Sequence, residues 1–488
     1  MRKLPVLSIL MLMAILFGWS TPASATPWES KVDAWVLETA AHGPTEFLVM
    51  LEQQADLSPS GGLPTKAERG QFVYQALTAT AASSQGPMIA ALQQMGVEYR
   101  AYWVVNALWV RGDLEVIAAL AQRPDVRHVY ANPSVRLDAP VEQTPAGDLS
   151  KGIEWNIALV GAPEVWALGY TGQGVVVAGA DTGYDWTHLA IQNQYRGWDG
   201  STADHDYNWF DATAAPSLTP IDPFGHGTHT MGTMVGDDGG SNQIGMAPGA
   251  RWIGCRNMDA SGAGTPDTYI ACYQWFIAPT RVDGSDPDPD LAPDVINNSW
   301  GCPKSEGCDD PNILLAVVQA VRAAGIMTVH SAGNSGPNCS TVNTPAGIYA
   351  ESFSVGATTN MDILASFSSR GPVTVDDSNR LKPDISAPGV NIRSCYKDGT
   401  YAIMGGTSMA APHVAGLVAL LISAEPGLRG QVDDLETIIE QSALHIVSAD
   451  CSSLLPYPNN LYGWGRIQAL EAYRLSALQR FFLPMTLK

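Results

Sequence analysis

The sequence predicts an α/β fold: a three-layer, doubly wound, mostly parallel sheet in the larger C-terminal part, preceded by a small α/β unit. Two observations predict it. Beyond about residue 151, short runs that are apolar at nearly every position (174–180, 251–255, 295–297 and 327–330) alternate with helical stretches (266–276, 313–324, 408–424 and 433–441). A strand covered on both faces has no polar side, so such runs separated by helices describe a buried parallel sheet. Before residue 138 the order differs. Strands at 46–51, 103–110 and 126–130 are interspersed with helices at 67–82, 87–95 and 114–122, which makes a compact unit of roughly 90 residues. Residues 138–150 are polar and carry proline, as a linker does.

The 488 residues allow two to four domains at roughly 100–200 residues each. An apolar content of 45% suits a packed core, and 47 glycines and 33 prolines without a period suit a loop-rich globular chain. The formal net charge of -21, with no basic run, excludes a phosphate-backbone partner and is expected to serve solubility.

Residues 1–25 have the form of an export signal. Arg2 and Lys3 open it, 4–17 are apolar, and Ala23-Ser24-Ala25 offers small residues for cleavage. The run falls short of the roughly 20 residues that span a bilayer. No later stretch is expected to span one, so the mature chain is predicted to be extracellular, monomeric and free of membrane. Export permits disulfides. Of seven cysteines, Cys302 and Cys308 flank a short loop and are the expected pair, and the odd count leaves at least one thiol over. No CxxC spacing supports zinc. The acidic loop 283–294 is a candidate structural calcium site, since carboxylates and carbonyls are what calcium takes. The apolar tail 475–488 either docks on the body or serves as a sorting signal.

Four motifs carry chemistry. Asp181-Thr182-Gly183 follows the run 174–180. Gly225-His226-Gly227-Thr228-His229-Thr230 comes next. Ser331-Ala332-Gly333-Asn334-Ser335-Gly336-Pro337 follows 327–330, and Gly405-Gly406-Thr407-Ser408-Met409-Ala410 leads into an apolar helix. A serine hydroxyl needs a base to become a nucleophile. Imidazole titrates near neutral pH and suits that task. A buried carboxylate fixes the imidazole tautomer and stabilises the imidazolium. Ser408 at a helix start sets backbone N–H groups beside the reacting carbonyl, and Asn334 can donate to a developing oxyanion.

Taken singly, three of these motifs also fit a different chemistry. Asp-Thr-Gly occurs in aspartic peptidases, but a second such tripeptide is missing. His226 and His229 could ligate a metal, but HExxH is absent. The serine motif resembles the nucleophile elbow of α/β-hydrolases, whose Ser, acid, His order leaves too little chain here. The order Asp, His, Ser is that of subtilisin.

On these motifs the chain resembles the subtilase family of serine peptidases from about Ile153 to Leu475. Gly245-Met246-Ala247-Pro248-Gly249-Ala250, Ser366-Phe367-Ser368-Ser369-Arg370-Gly371-Pro372 and Lys382-Pro383-Asp384-Ile385-Ser386-Ala387-Pro388-Gly389 add to the match. Val295-Ile296-Asn297-Asn298-Ser299-Trp300-Gly301, with Cys302 nearby, is similar to the bacillopeptidase F-like branch. The resemblance implies that Asp181 orients His226, that His226 is general base and then acid, and that Ser408 forms an acyl-enzyme. Asn334 and the Ser408 N–H would hold the oxyanion. Gly262, Ala263 and Gly264, with Ser299, Trp300 and Gly301, would be the edges that pair with an extended substrate. His188 and His229 would be structural, and no cofactor enters the chemistry.

Residues 45–137 resemble the family's pro-segment, which acts as foldase and inhibitor. The expected division is signal 1–25, pro-segment 26–145, peptidase domain 146–474 and tail 475–488, with self-cleavage between Asp138 and Gly152. The long stretch from Asp181 to His226, and Ser335 after Asn334, depart from the family pattern and leave side-chain preference open. The expected function is a secreted serine endopeptidase. A catalytically silent binding module on the same scaffold, or an esterase using the same serine, are the alternatives.

Overall fold

The computed structural model describes residues 28–137, 140–146, 152–452, 454 and 456–482. The expected signal, and residues 138–139 and 147–151 of the expected cleavage region, lie outside the described residues. So does the end of the tail; its first residues continue a helix, Ala469–Phe482.

Seven parallel strands form the body, in the order Ile385–Pro388, Phe353–Thr358, Met327–Ser331, Val295–Asn298, Val176–Asp181, Arg251–Arg256, Trp209–Asp211. Successive side chains explain why these strands are apolar throughout. Val177 and Val295 enter the core under the helices His226–Val235 and Thr407–Ala424. Their neighbours Ala178 and Ile296 enter the core under Pro266–Ile277 and Leu315–Ala323. Both faces are covered, so the three-layer expectation is met. The strand order reverses at Val176–Asp181: the chain goes first to the edge strand Trp209–Asp211 and to Arg251–Arg256 on one side, and then to Val295–Asn298 on the other. Crevices open at the carboxyl ends of strands at such a point.

Thr407–Ala424 is long and apolar enough to cross a membrane, with mean hydropathy 1.5, contrary to the expectation that no later stretch would be. It is 94% buried inside the fold, where the sheet and neighbouring helices take its apolar surface on all sides.

The N-terminal unit is a four-stranded antiparallel sheet in the order Glu98–Tyr102, Ala107–Gly112, Thr45–Leu51, Val126–Ala131. Thr65 opens the helix Lys66–Ser84 with a reciprocal capping box to Glu68. The expected strand 103–110 begins only at Ala107. Residues 103–106 form the turn into it, with Asn106 left-handed at φ 43°. Asn106 Nδ2 donates to the Gln53 carbonyl at 2.6 Å and to Ser84 Oγ at 2.8 Å, which offsets that conformation. The unit docks through Asp267 on the body: Tyr102 Oη donates at 2.6 Å and Arg100 pairs at 2.7 Å.

Three disulfides are formed: Cys255–Cys272, Cys302–Cys308 as expected, and Cys339–Cys451. Cys395 stays free and buried, and burial raises its thiol pKa far above the usual range.

Burial also holds three histidines neutral, pushing His229 and His330 down to about 3 and His413 down to about 4. Each is depressed below its unfolded value of roughly 6.5. The unfolded chain therefore binds more protons in that window, and stability is lost as pH falls from about 6.5 toward 4 and 3. At pH 5 each costs about 2 kcal/mol. Glu440, pushed up to about 7 mainly by burial, acts in the opposite sense and offsets part of this. Urea unfolding of the Ser408→Ala chain is expected to show a lower midpoint at pH 5 than at pH 7; an equal or higher midpoint would contradict this balance.

Candidate active site

Asp181 ends the central strand with its side chain fully buried. The chain then turns at Gly183, φ 114°, where a Cβ would collide with the Ile221 carbonyl. Gly225, φ 104°, faces the Tyr396 ring just as closely, and His226 opens the next helix. Gly227 has no room for a side chain against Gly183 and the Asp181 Cβ. The glycines thus let the His226 helix pack directly on the aspartate turn.

The result is a 2.8 Å hydrogen bond between His226 Nδ1 and Asp181 Oδ1. The same oxygen accepts the Thr182 N–H at 2.7 Å, and Oδ2 accepts Thr230 Oγ1 at 3.4 Å. Bound to a carboxylate, Nδ1 carries the proton, so Nε2 presents a lone pair. His226 Nε2 is buried with no hydrogen-bond partner among the described residues.

Ser408 is the second residue of the helix Thr407–Ala424, in the turn whose N–H groups have no intrahelical partner. Its Oγ donates to the Ser299 carbonyl at 3.5 Å, and Ser299 Oγ donates to the Ser408 carbonyl at 3.3 Å. Asn334 follows the strand Met327–Ser331. Its Oδ1 accepts from the Thr407 N–H at 2.8 Å and from Thr407 Oγ1 at 2.9 Å. A backbone N–H can only donate, so the oxygen must face Thr407 and the amide N–H₂ points the other way. Asn334, Ser408, Ser299, Gly301 and Thr344 line one cleft.

The sequence did not single out Asp222. It is buried, and it accepts hydrogen bonds from the N–H groups of Gly225 and Thr228 at 2.7 and 2.9 Å, and from the hydroxyls of Thr228 and Thr182 at 2.7 and 2.9 Å. Burial raises its pKa and those hydrogen bonds oppose the rise. Asp222 ties the loop before His226 to the turn after Asp181. Its signal was an Asp-Pro turn four residues before the histidine.

The remaining predicted residues fall as follows. His229 lies behind His226, with Nε2 3.1 Å from the Ile392 carbonyl and 3.2 Å from that of Ala402. His188 Nδ1 accepts the Ala190 N–H at 3.1 Å. Trp300 turns its ring inward, stacked 3.9 Å from Tyr269, with Nε1 donating to the Ala180 carbonyl at 3.1 Å, which leaves only its backbone for the cleft.

Ala263–Gly264 is already paired. Val135–Arg136 runs antiparallel to it, and the Leu137 N–H donates to the Gly262 carbonyl at 2.8 Å. Val135 is buried against Cys302 and Cys308, and Glu306 on that disulfide loop accepts the Arg136 N–H at 3.2 Å. Farther on, the Val141 N–H donates to the Gly405 carbonyl at 2.9 Å, and Glu142–Ala146 pairs with Thr400–Gly405, the strand that runs into Ser408. The chain is therefore anchored on both flanks of the serine.

The acidic loop 283–294 spends its carboxylates on separate partners: Asp283 on Ser285, Asp286 on Arg281, Asp288 on the Asp290 N–H and Asp294 on Lys66 of the N-terminal unit. These side chains do not converge on a common point for calcium.

A profile of the Subtilase family matches residues 172–465. Bacillopeptidase F of Bacillus subtilis (strain 168) is 38% identical over 430 residues, covering 84% of this chain and 29% of that protein. The chain thus spans less than a third of that relative's length. Subtilisin E of the same organism is 30% identical over 76% of this chain and 85% of its own length. Subtilisin of Bacillus pumilus is 33% identical over 57% of this chain and 87% of its own length.

Proposed function

The chain belongs to the subtilase family, bacillopeptidase F-like among its relatives, and from that premise we propose that it is a secreted serine endopeptidase matured by removal of its N-terminal unit. One observation carries the chemistry: the 2.8 Å bond from His226 Nδ1 to Asp181, with Nε2 left free.

In this reading His226 Nε2 takes the Ser408 proton as Oγ attacks the scissile carbonyl. The oxyanion is held by the Asn334 amide and the Ser408 N–H. The imidazolium then protonates the leaving nitrogen, and the C–N bond breaks to leave an acyl-enzyme. Water, deprotonated by the same imidazole, releases the acid and restores Ser408. Reaction in this family needs no cofactor. Substrate backbone would lie along Gly262, Ala263 and Gly264 on one side and Ser299, Trp300 and Gly301 on the other, a pairing that tolerates many sequences.

The edge at Ala263–Gly264 is filled by Val135–Arg136, which supports the N-terminal unit as an inhibitor lying where substrate would lie. We place the cut between Asp138 and Gly152. The test is to express the full chain, sequence the N-terminus of the exported form, and label it with a sulfonyl fluoride. Label on Ser408 and a new N-terminus in that interval are expected. Failure of Ser408 to label in a folded, cleaved protein would leave a silent module as the reading.

A further inference from the structure

Away from the cleft, the seam between the N-terminal unit and the body gathers three ligand-type side chains. Asp33 precedes the helix Ala34–Ala40 and His128 lies on the strand Val126–Ala131, both in the N-terminal unit. Asp310 belongs to the body, just after the Cys302–Cys308 loop. One donor atom from each lies within 4.8 Å of the other two.

The seam is partly closed to solvent, with the Asp33 side chain 5% exposed and that of His128 22% exposed. His128 Nε2 sits 2.8 Å from Asp33 Oδ1, and the other Asp33 oxygen accepts the Ala131 N–H at 2.9 Å. Asp310 Oδ1 accepts two bonds from Asn312, at 2.8 and 3.0 Å. Beside it, Asp309 accepts the Trp35 N–H at 2.8 Å, which holds the two units in register at this point.

The charge here is unbalanced. Among the described residues neither Asp33 nor Asp310 forms an ion pair with a lysine or arginine. A metal-ligating imidazole is neutral, so together with two carboxylates it makes a ligand set of two negative charges, which a dication neutralises. A nitrogen donor speaks against calcium and magnesium, which take oxygens, and suits zinc, which binds nitrogen and carboxylate oxygen together. Tetrahedral zinc ligands lie roughly 3.3–3.6 Å apart, so small side-chain rotations close the site.

We propose that Asp33, His128 and Asp310 bind a zinc-class divalent ion that pins the N-terminal unit to the body. Binding stands on this geometry alone; a role in delaying activation rests on the maturation proposed above.

The test uses the uncut Ser408→Ala chain titrated with zinc chloride by calorimetry. One saturating ion is expected, with affinity lowered roughly 100-fold in His128→Ala and similarly in Asp310→Asn. His445→Ala, far along the chain, is expected to bind as the parent does. Near-UV circular dichroism checks that the variants fold, and Asp310→Asn decides the matter if His128→Ala does not. Zinc binding unchanged in both site variants, or no saturable binding at micromolar zinc, overturns the proposal. In the wild-type chain, a chelator is expected to speed release of the cut N-terminal unit. A chain that binds zinc at this site but never cuts itself would defeat the maturation reading and leave the site standing.

Discussion

Ser408→Ala is expected to abolish peptide hydrolysis, with kcat falling on the order of 10⁶-fold, the scale measured for a subtilisin, and to leave residues 26–488 joined. The reason is chemical. The substitution removes the proposed attacking atom, yet it leaves the helix intact, because alanine is the best helix former and the lost Oγ bond to Ser299 is long at 3.5 Å. Two measurements check this together: turnover of a peptide substrate, and the size of the exported chain on a denaturing gel. Turnover near the wild-type rate, or a normally processed chain from a strain lacking other proteases, would remove Ser408 from the mechanism.

Asp181→Asn is expected to lower kcat about 10⁴-fold with little change in KM. Asp181 accepts from His226 Nδ1, from the Thr182 N–H and from Thr230 Oγ1, so the site supplies donors on every side. An asparagine N–H₂ placed there faces another donor. It forces either a flipped imidazole, with its proton on the wrong nitrogen, or an unpaired buried amide. In the proposed mechanism either outcome denies Ser408 its base, while the proposed substrate edges lie elsewhere and are unchanged. Steady-state kinetics on one peptide separates the two constants. A rise in KM with kcat preserved would make Asp181 a binding residue instead.

Much of this architecture is legible in sequence because the sheet is buried on both sides. Residues 174–180, 251–255, 295–297 and 327–330 have no polar face to hide their strand character, and each begins or ends within two residues of the observed strand. Strands Phe353–Thr358 and Ile385–Pro388 escape that pattern. They carry Ser, Gly and Pro, and tertiary burial rather than propensity makes them strands. The helix His226–Val235 is visible only as a motif. Glycine and threonine are poor helix formers, and all ten of its residues are buried, so packing decides its form. The run 103–106 reads as strand because it is apolar, yet it turns, since it packs against the body and its Trp103 N–H donates to Gln274 at 2.8 Å. Asp181, His226, Asn334 and Ser408 all stand out in sequence. Asp222 does not, because a residue that only holds a loop carries no chemistry of its own to betray it. Cys255–Cys272 and Cys339–Cys451 cannot be paired from spacing, since they close distances set by the fold.

Ser408, the proposed nucleophile, stands on the first turn of a helix whose every later turn lies within the protein's interior. A loop-borne nucleophile could loosen by itself and return. Here there is no partial loosening to be had: Ser408 drifts only if the centre of the molecule comes apart. Heat should therefore take catalytic competence and tertiary order together, with no warm interval in which a sound scaffold carries a disabled serine.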